Sequence, residues 1–138
     1  MSCATGRWPM RSDAEADAVA FRKKAADDWE SMELYRANDY APYGPMCFHS
    51  QQYVEKHIKA KLLDLGIVPP KIHALLALSK LLPPSGAREK IIDKVIALEP
   101  YAVDVRYPGM LVNAMPTEEE AVEAYETAKE IIELLTDI

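Results

Sequence analysis

Cysteine is almost missing from this 138-residue chain, with only Cys3 and Cys47 present. Two thiols cannot make a disulfide framework, so a packed core must hold the fold. Cys47, set among apolar residues, reads as a small core hydrophobe. Histidine is nearly as scarce. His49 and His57 lie eight apart and point to different sides of one helical stretch, and Cys47 and His49 are too close along it to share a face. That spacing predicts neither a metal site nor a cofactor. Basic charge is in deficit: 16 Lys and Arg against 22 Asp and Glu leave a net charge of −6. This argues against a broad nucleic-acid surface and leaves room only for a small local basic site. No apolar run reaches membrane-spanning length, and the start of the chain lacks the apolar segment of a signal peptide, so a soluble, cytoplasmic protein is expected. A glycine-rich phosphate loop, a GxSxG elbow and an HExxH helix are absent as well.

What is present is ordinary globular material, 49% hydrophobic and 28% charged, in a length that suits one domain. The stretch Phe48–Leu63, FHSQQYVEKHIKAKLL, has no Gly or Pro and carries Val54, Ile58, Leu62 and Leu65 at helical spacing. Beside that apolar stripe runs a polar one, Gln52, Glu55, Lys56 and Lys59 at i, i+3, i+4 and i+7. Ser50, His57 and Asp64 fall on what the spacing makes the fully polar side. Two readings of the stripe stay open. One is a Glu55–Lys59 pair with long side chains lying over a core edge. The other is a polar groove or an interhelical network inside a bundle, where every polar group must find a partner.

Along the chain, residues 1–11 have no period and are expected to be loose, and 12–138 form a single helical domain. Ser12 and Glu15 make a capping box. The helix after it, to about Ala37, has the seam Ala18, Phe21, Ala25, Trp29, Met32 and Tyr35. Asp28, next to that seam, is either a solvated carboxylate or the partner of a cation on another helix. Tyr40–Pro45 reads as a connector whose prolines forbid helix. Gly66 stops the central helix near Leu65, and Val68-Pro69-Pro70 is extended. A short helix is predicted over Lys71–Leu82, with His73 in its first turn, and another over Ala87–Leu98. Glu99–Met115 reads as a loop bearing Tyr101, Asp104, Arg106 and Tyr107. Thr117 and Glu120 cap a last helix with Ala121, Tyr125, Ala128, Ile132 and Leu135 inward and glutamates outward. No strand is predicted, and the fold class is an all-α, up-and-down bundle of four or five helices. A cationic and hydrogen-bonding set remains: Gln52, Lys56, Lys59, His73, Tyr101, Arg106 and Tyr107. If these converge they suit an anion such as a phosphate, with the tyrosines available to stack a base.

The segment FHSQQYVEKHIKA resembles the signature helix of the HEPN (higher eukaryotes and prokaryotes nucleotide-binding) domain family, through Phe48, Gln52, Glu55, Lys56, Lys59 and Ala60. Asp28-Trp29 with Leu34 and Tyr40, the segment Lys71–Leu75, and Tyr101 with Val105-Arg106-Tyr107-Pro108 resemble the family's flanking segments, from about Phe21 to the end. The resemblance implies an all-α bundle, often a homodimer. It also implies one of two biologies: a partner of a minimal nucleotidyltransferase in a toxin–antitoxin-like pair, or a metal-independent ribonuclease with an Arg-x4–6-His motif. The chain departs from the nuclease pattern, because Leu111, Val112 and Asn113 occupy the positions where the His would follow Arg106. The first expectation is therefore a non-catalytic, nucleotide- or partner-binding module. The others are a divergent ribonuclease using Arg106 and His73, and a purely structural dimerisation module.

Overall fold

The computed structural model describes residues 11–102 and 115–138, with side chains from Asp13 onward. The expected loose segment before Arg11, the loop residues Asp104, Arg106 and Tyr107, and the side chain of Ser12 lie outside the described residues. Among the described residues five helices follow in order: α1 (Arg11–Ala37), α2 (Tyr43–Asp64), α3 (Leu75–Ser79), α4 (Gly86–Val95) and α5 (Glu118–Leu135), with a 3₁₀ turn at Glu99–Tyr101. No strand occurs among the described residues. The predicted all-α bundle is the observed one.

The middle of the bundle is α2, which packs against both α1 and α5. A second layer is formed by α4 on α5, and α3 bridges α2 and α4. One continuous core joins Met32, Val54, Ile58, Leu62, Leu75, Leu78, Ile91, Val95, Leu98, Ala128 and Ile131. Each large aliphatic side chain buried there stabilises the fold by roughly 1.5–3 kcal/mol relative to exposure. The α1 seam is as expected, with Ala18, Ala25 and Met32 buried and Phe21, Trp29 and Tyr35 packed at its edge.

The boundaries differ from expectation at three places. The central helix begins at Tyr43, five residues before Phe48, so the connector is shorter than the prolines suggested. Pro42 is its N-cap and Pro45 sits in its first turn, where a missing N–H removes no helical bond. The reversal is made instead by Asp39 and Tyr40, at φ 56° and 68°. A tyrosine in the left-handed region is costly, and its ring packs edge-on against Tyr125, 5.8 Å between centroids. The helix predicted over Lys71–Leu82 is only Leu75–Ser79, and His73 precedes it rather than lying in its first turn. The reason is Glu99, whose two carboxylate oxygens accept from the N–H groups of Leu75 (2.9 Å) and Leu76 (3.0 Å). That cap fixes where the helix starts. The fourth helix ends at Val95, and two further turn bonds, from Ala97 N–H to Lys94 and from Leu98 N–H to Val95, carry the chain to Leu98.

The other stops and starts behave as the sequence chemistry dictates. Gly66, at φ 79°, donates to Leu63, and Ile67 donates to Leu62. These two bonds are the Schellman closure of α2. Thr117 and Glu120 form the reciprocal capping box of α5.

Candidate functional site

The polar stripe of α2 is spent on two knots, one on each flank of the helix. The first is centred on Glu55, only 4% exposed. Its Oε2 accepts from Lys59 Nζ at 3.0 Å and from His73 Nδ1 at 2.9 Å. Its Oε1 accepts from Gln51 Nε2 at 3.2 Å, and Gln52 Nε2 donates to Gln51 Oε1 at 2.7 Å. Gln51 Nε2 also reaches the carbonyl of His73 at 3.2 Å, so both backbone and side chain of His73 are tied to α2. Since an ionised carboxylate only accepts, His73 must carry its proton on Nδ1. Lys59 is 7% exposed, whereas the His73 side chain is 71% exposed. The knot therefore runs from the core edge to open solvent.

The second knot is on the α1 side. Asp28, 5% exposed, accepts from Lys56 Nζ at 2.6 Å and from His49 Nδ1 at 2.7 Å. His49 lies between Tyr35 and Phe48, at ring distances of 5.9 and 5.5 Å. Asp28 is thus the partner of a cation on another helix, not a solvated carboxylate. Both readings of the stripe hold at once: the Glu55–Lys59 pair exists, and it is one bond of a buried network. A network of this kind stabilises only when every member is satisfied, and here each carboxylate has at least two donors.

The residues expected to form one site are therefore divided. Gln52, Lys59 and His73 meet around Glu55, while Lys56 turns to Asp28. Tyr101 sits apart, near Cys47, and burial pushes the ionisation of both groups up, Cys47 to about 12. Arg106 and Tyr107 lie outside the described residues. Ser50 and His57 are not on a solvated face. Ser50 is fully buried and donates to the Met46 carbonyl at 2.8 Å. His57 packs on Tyr53, 4.7 Å between ring centroids, and desolvation, helped by the charge of Arg22, lowers its pKa to about 4. Asp64, the third residue of that side, pairs with Arg22 of α1.

Sequence reasoning missed His49 and Gln51, which hold the two knots together. It also missed a link between α1 and α5. Glu33 accepts from the Tyr125 hydroxyl and from Arg36, and the Arg36 bond holds its carboxyl below the ordinary glutamate range. Tyr125 is buried, its ionisation pushed up first by desolvation and then by Glu33. Trp29 stacks on it at 5.6 Å. The one available signal was that Trp29 and Tyr125 each fall on a predicted inward seam. No cluster of His, Cys, Asp and Glu among the described residues has the geometry of a metal site, and no described helix is long and apolar enough to cross a membrane.

The HEPN domain model matches residues 18–138, and the chain belongs to that family. This places it among nucleotide-binding and ribonuclease-like modules. No curated protein and no solved structure matches it.

Proposed function

We propose that this chain is a HEPN module that acts by binding rather than by cutting RNA. Residues 12–138 work as one unit, a cytoplasmic homodimer. It recognises a nucleotide, a minimal nucleotidyltransferase partner, or both, as one half of a toxin–antitoxin-like pair. The recognition region comprises Gln52, Lys56, Lys59, His73, Tyr101, Arg106 and Tyr107. The observation that carries the reading is the run Leu111-Val112-Asn113 after Arg106. None of these side chains titrates near neutrality, so none can serve as the acid or base that in-line RNA cleavage needs beside an arginine. The side chains around α2 support a binding role. Lys56 and Lys59 are paired with Asp28 and Glu55, which leaves little free charge to attract RNA at large.

A second reading rests on a specific feature. His73 is fixed through Nδ1 to a buried carboxylate, is largely exposed, and has Nε2 without a partner among the described residues. That is the posture of a general acid or base, and with Arg106 it describes a divergent ribonuclease. Incubating purified protein with mixed RNA separates the two. The binding reading expects intact RNA. Cleavage that disappears in His73→Ala replaces it with the second reading.

A further inference from the structure

Beyond the two knots, the N-terminal half of α1 and the extended segment after α2 enclose a groove that neither the stripe nor the family motif accounts for. It has a volume of about 200 Å³. Its apolar lining is Phe21 of α1, Leu63 of α2, and Val68 and Pro69 of the extended segment. Lys59 reaches it from the Glu55 knot and Lys71 stands in its lining. A second depression of about 280 Å³ also touches Phe21 and is bordered by Lys24. Asp17 lines both.

Three features of this groove point to a ligand. Lys59 Nζ carries three N–H donors and uses one on Glu55. It lies 5.9 Å from the centre of the Phe21 ring, within reach of a cation–π contact. Lys71 is exposed and forms no ion pair with the described residues, unlike Lys56 and Lys59. The walls are apolar and include one aromatic face, set beside unspent cationic donors in a chain of net charge −6. Asp17, without an ion pair of its own among the described residues, supplies an acceptor in the same lining. A pocket of this size is below the roughly 300–1,000 Å³ of sites for drug-sized ligands, which suits one ring system rather than an oligomer.

We propose that the Phe21–Lys59–Lys71 groove is a site for a small anion bearing a flat ring, of the nucleoside monophosphate type. The ring lies between Phe21 and Pro69, its N–H donors face Asp17, and its anionic group meets Lys71 and the spare donors of Lys59. This deepens the binding reading and rests on it, and it moves the ligand from the Lys56 side of α2 to the Lys59 side.

The test is a titration of the ¹⁵N-labelled full chain by NMR with AMP, adenosine and inorganic phosphate as separate probes. The site predicts shifts from AMP gathered at Phe21, Leu63, Val68 and Lys71, with weaker effects from either fragment. Lys71→Glu, an exposed substitution that breaks no internal bond, weakens AMP binding on the order of tenfold and leaves adenosine nearly unchanged. Phe21→Ala weakens both, with the spectrum reporting whether the fold is kept. AMP shifts gathered instead at Gln52 and Lys56, or AMP affinity unchanged in Lys71→Glu, overturn the groove while leaving nucleotide binding in place. If none of the probes binds, the groove is overturned as well, and only the partner-protein half of the binding reading stands.

Discussion

Removing Lys56 tests whether the Asp28 knot is structural. In Lys56→Met the Asp28 carboxylate, buried against α1, keeps His49 as its one side-chain donor. Stripping one member from a fully buried ion pair costs about 3–5 kcal/mol. The Lys56 side chain is 21% exposed, so water offsets part of the loss and about 2–3 kcal/mol is expected. For a chain of this length that is a fall in Tm of about 5–10 °C. Asp28→Leu combined with Lys56→Met removes both charges from the α1–α2 boundary and recovers part of the loss, because no uncompensated charge remains. Urea unfolding followed by circular dichroism on the wild type, the two single variants and the double variant gives the coupling directly. The structure predicts roughly 1–3 kcal/mol of coupling. Effects that add to within about 0.5 kcal/mol refute the reasoning, because they make the two side chains independent despite their 2.6 Å contact.

Further consequences follow from individual groups. Desolvation lowers the His57 pKa from 6.5 to about 4, so between those values the unfolded chain binds the extra proton. His57 therefore contributes stability that is full above pH 6.5 and is lost as pH falls toward 4. Its partial exposure limits this to about 1–2 kcal/mol, and His57→Gln should flatten that limb of the stability–pH curve measured by urea unfolding. The Cys47 thiol, fully buried and pushed up to about 12, should not react with a disulfide reagent in the folded chain and should react on unfolding. Rapid labelling of a Cys3→Ser variant in native buffer would contradict this. Glu99→Ala strips the carboxylate from the N–H groups of Leu75 and Leu76. The expected cost is about 1–2 kcal/mol, with faster amide exchange confined to the residues around α3.

Much of the fold was legible because it rests on local chemistry. Gly66 ends α2 since only that position needs a positive φ there, and Thr117 with Glu120 announces α5. The misplaced boundaries have non-local causes. The start of α3 is set by Glu99, 23 and 24 residues away. The start of α2 depends on whether Pro45 falls in a first turn or later, which the Tyr40–Pro45 sequence does not decide. Of the site, Glu55–Lys59 was visible as an i,i+4 pair, and Asp28 was visible as a carboxylate at the edge of a seam. His49 was not, since its partner lies 21 residues upstream on another helix. Ser50 looked solvated because a serine that donates to the carbonyl four residues back is as easily buried as exposed.

Purification under gentle conditions from the native host, followed by native mass spectrometry, tests most directly whether this chain works by binding. The account predicts a dimer that carries either a nucleotide-sized mass or a second chain of nucleotidyltransferase size. A chain that carries neither, and that takes up no AMP on direct titration, would contradict it.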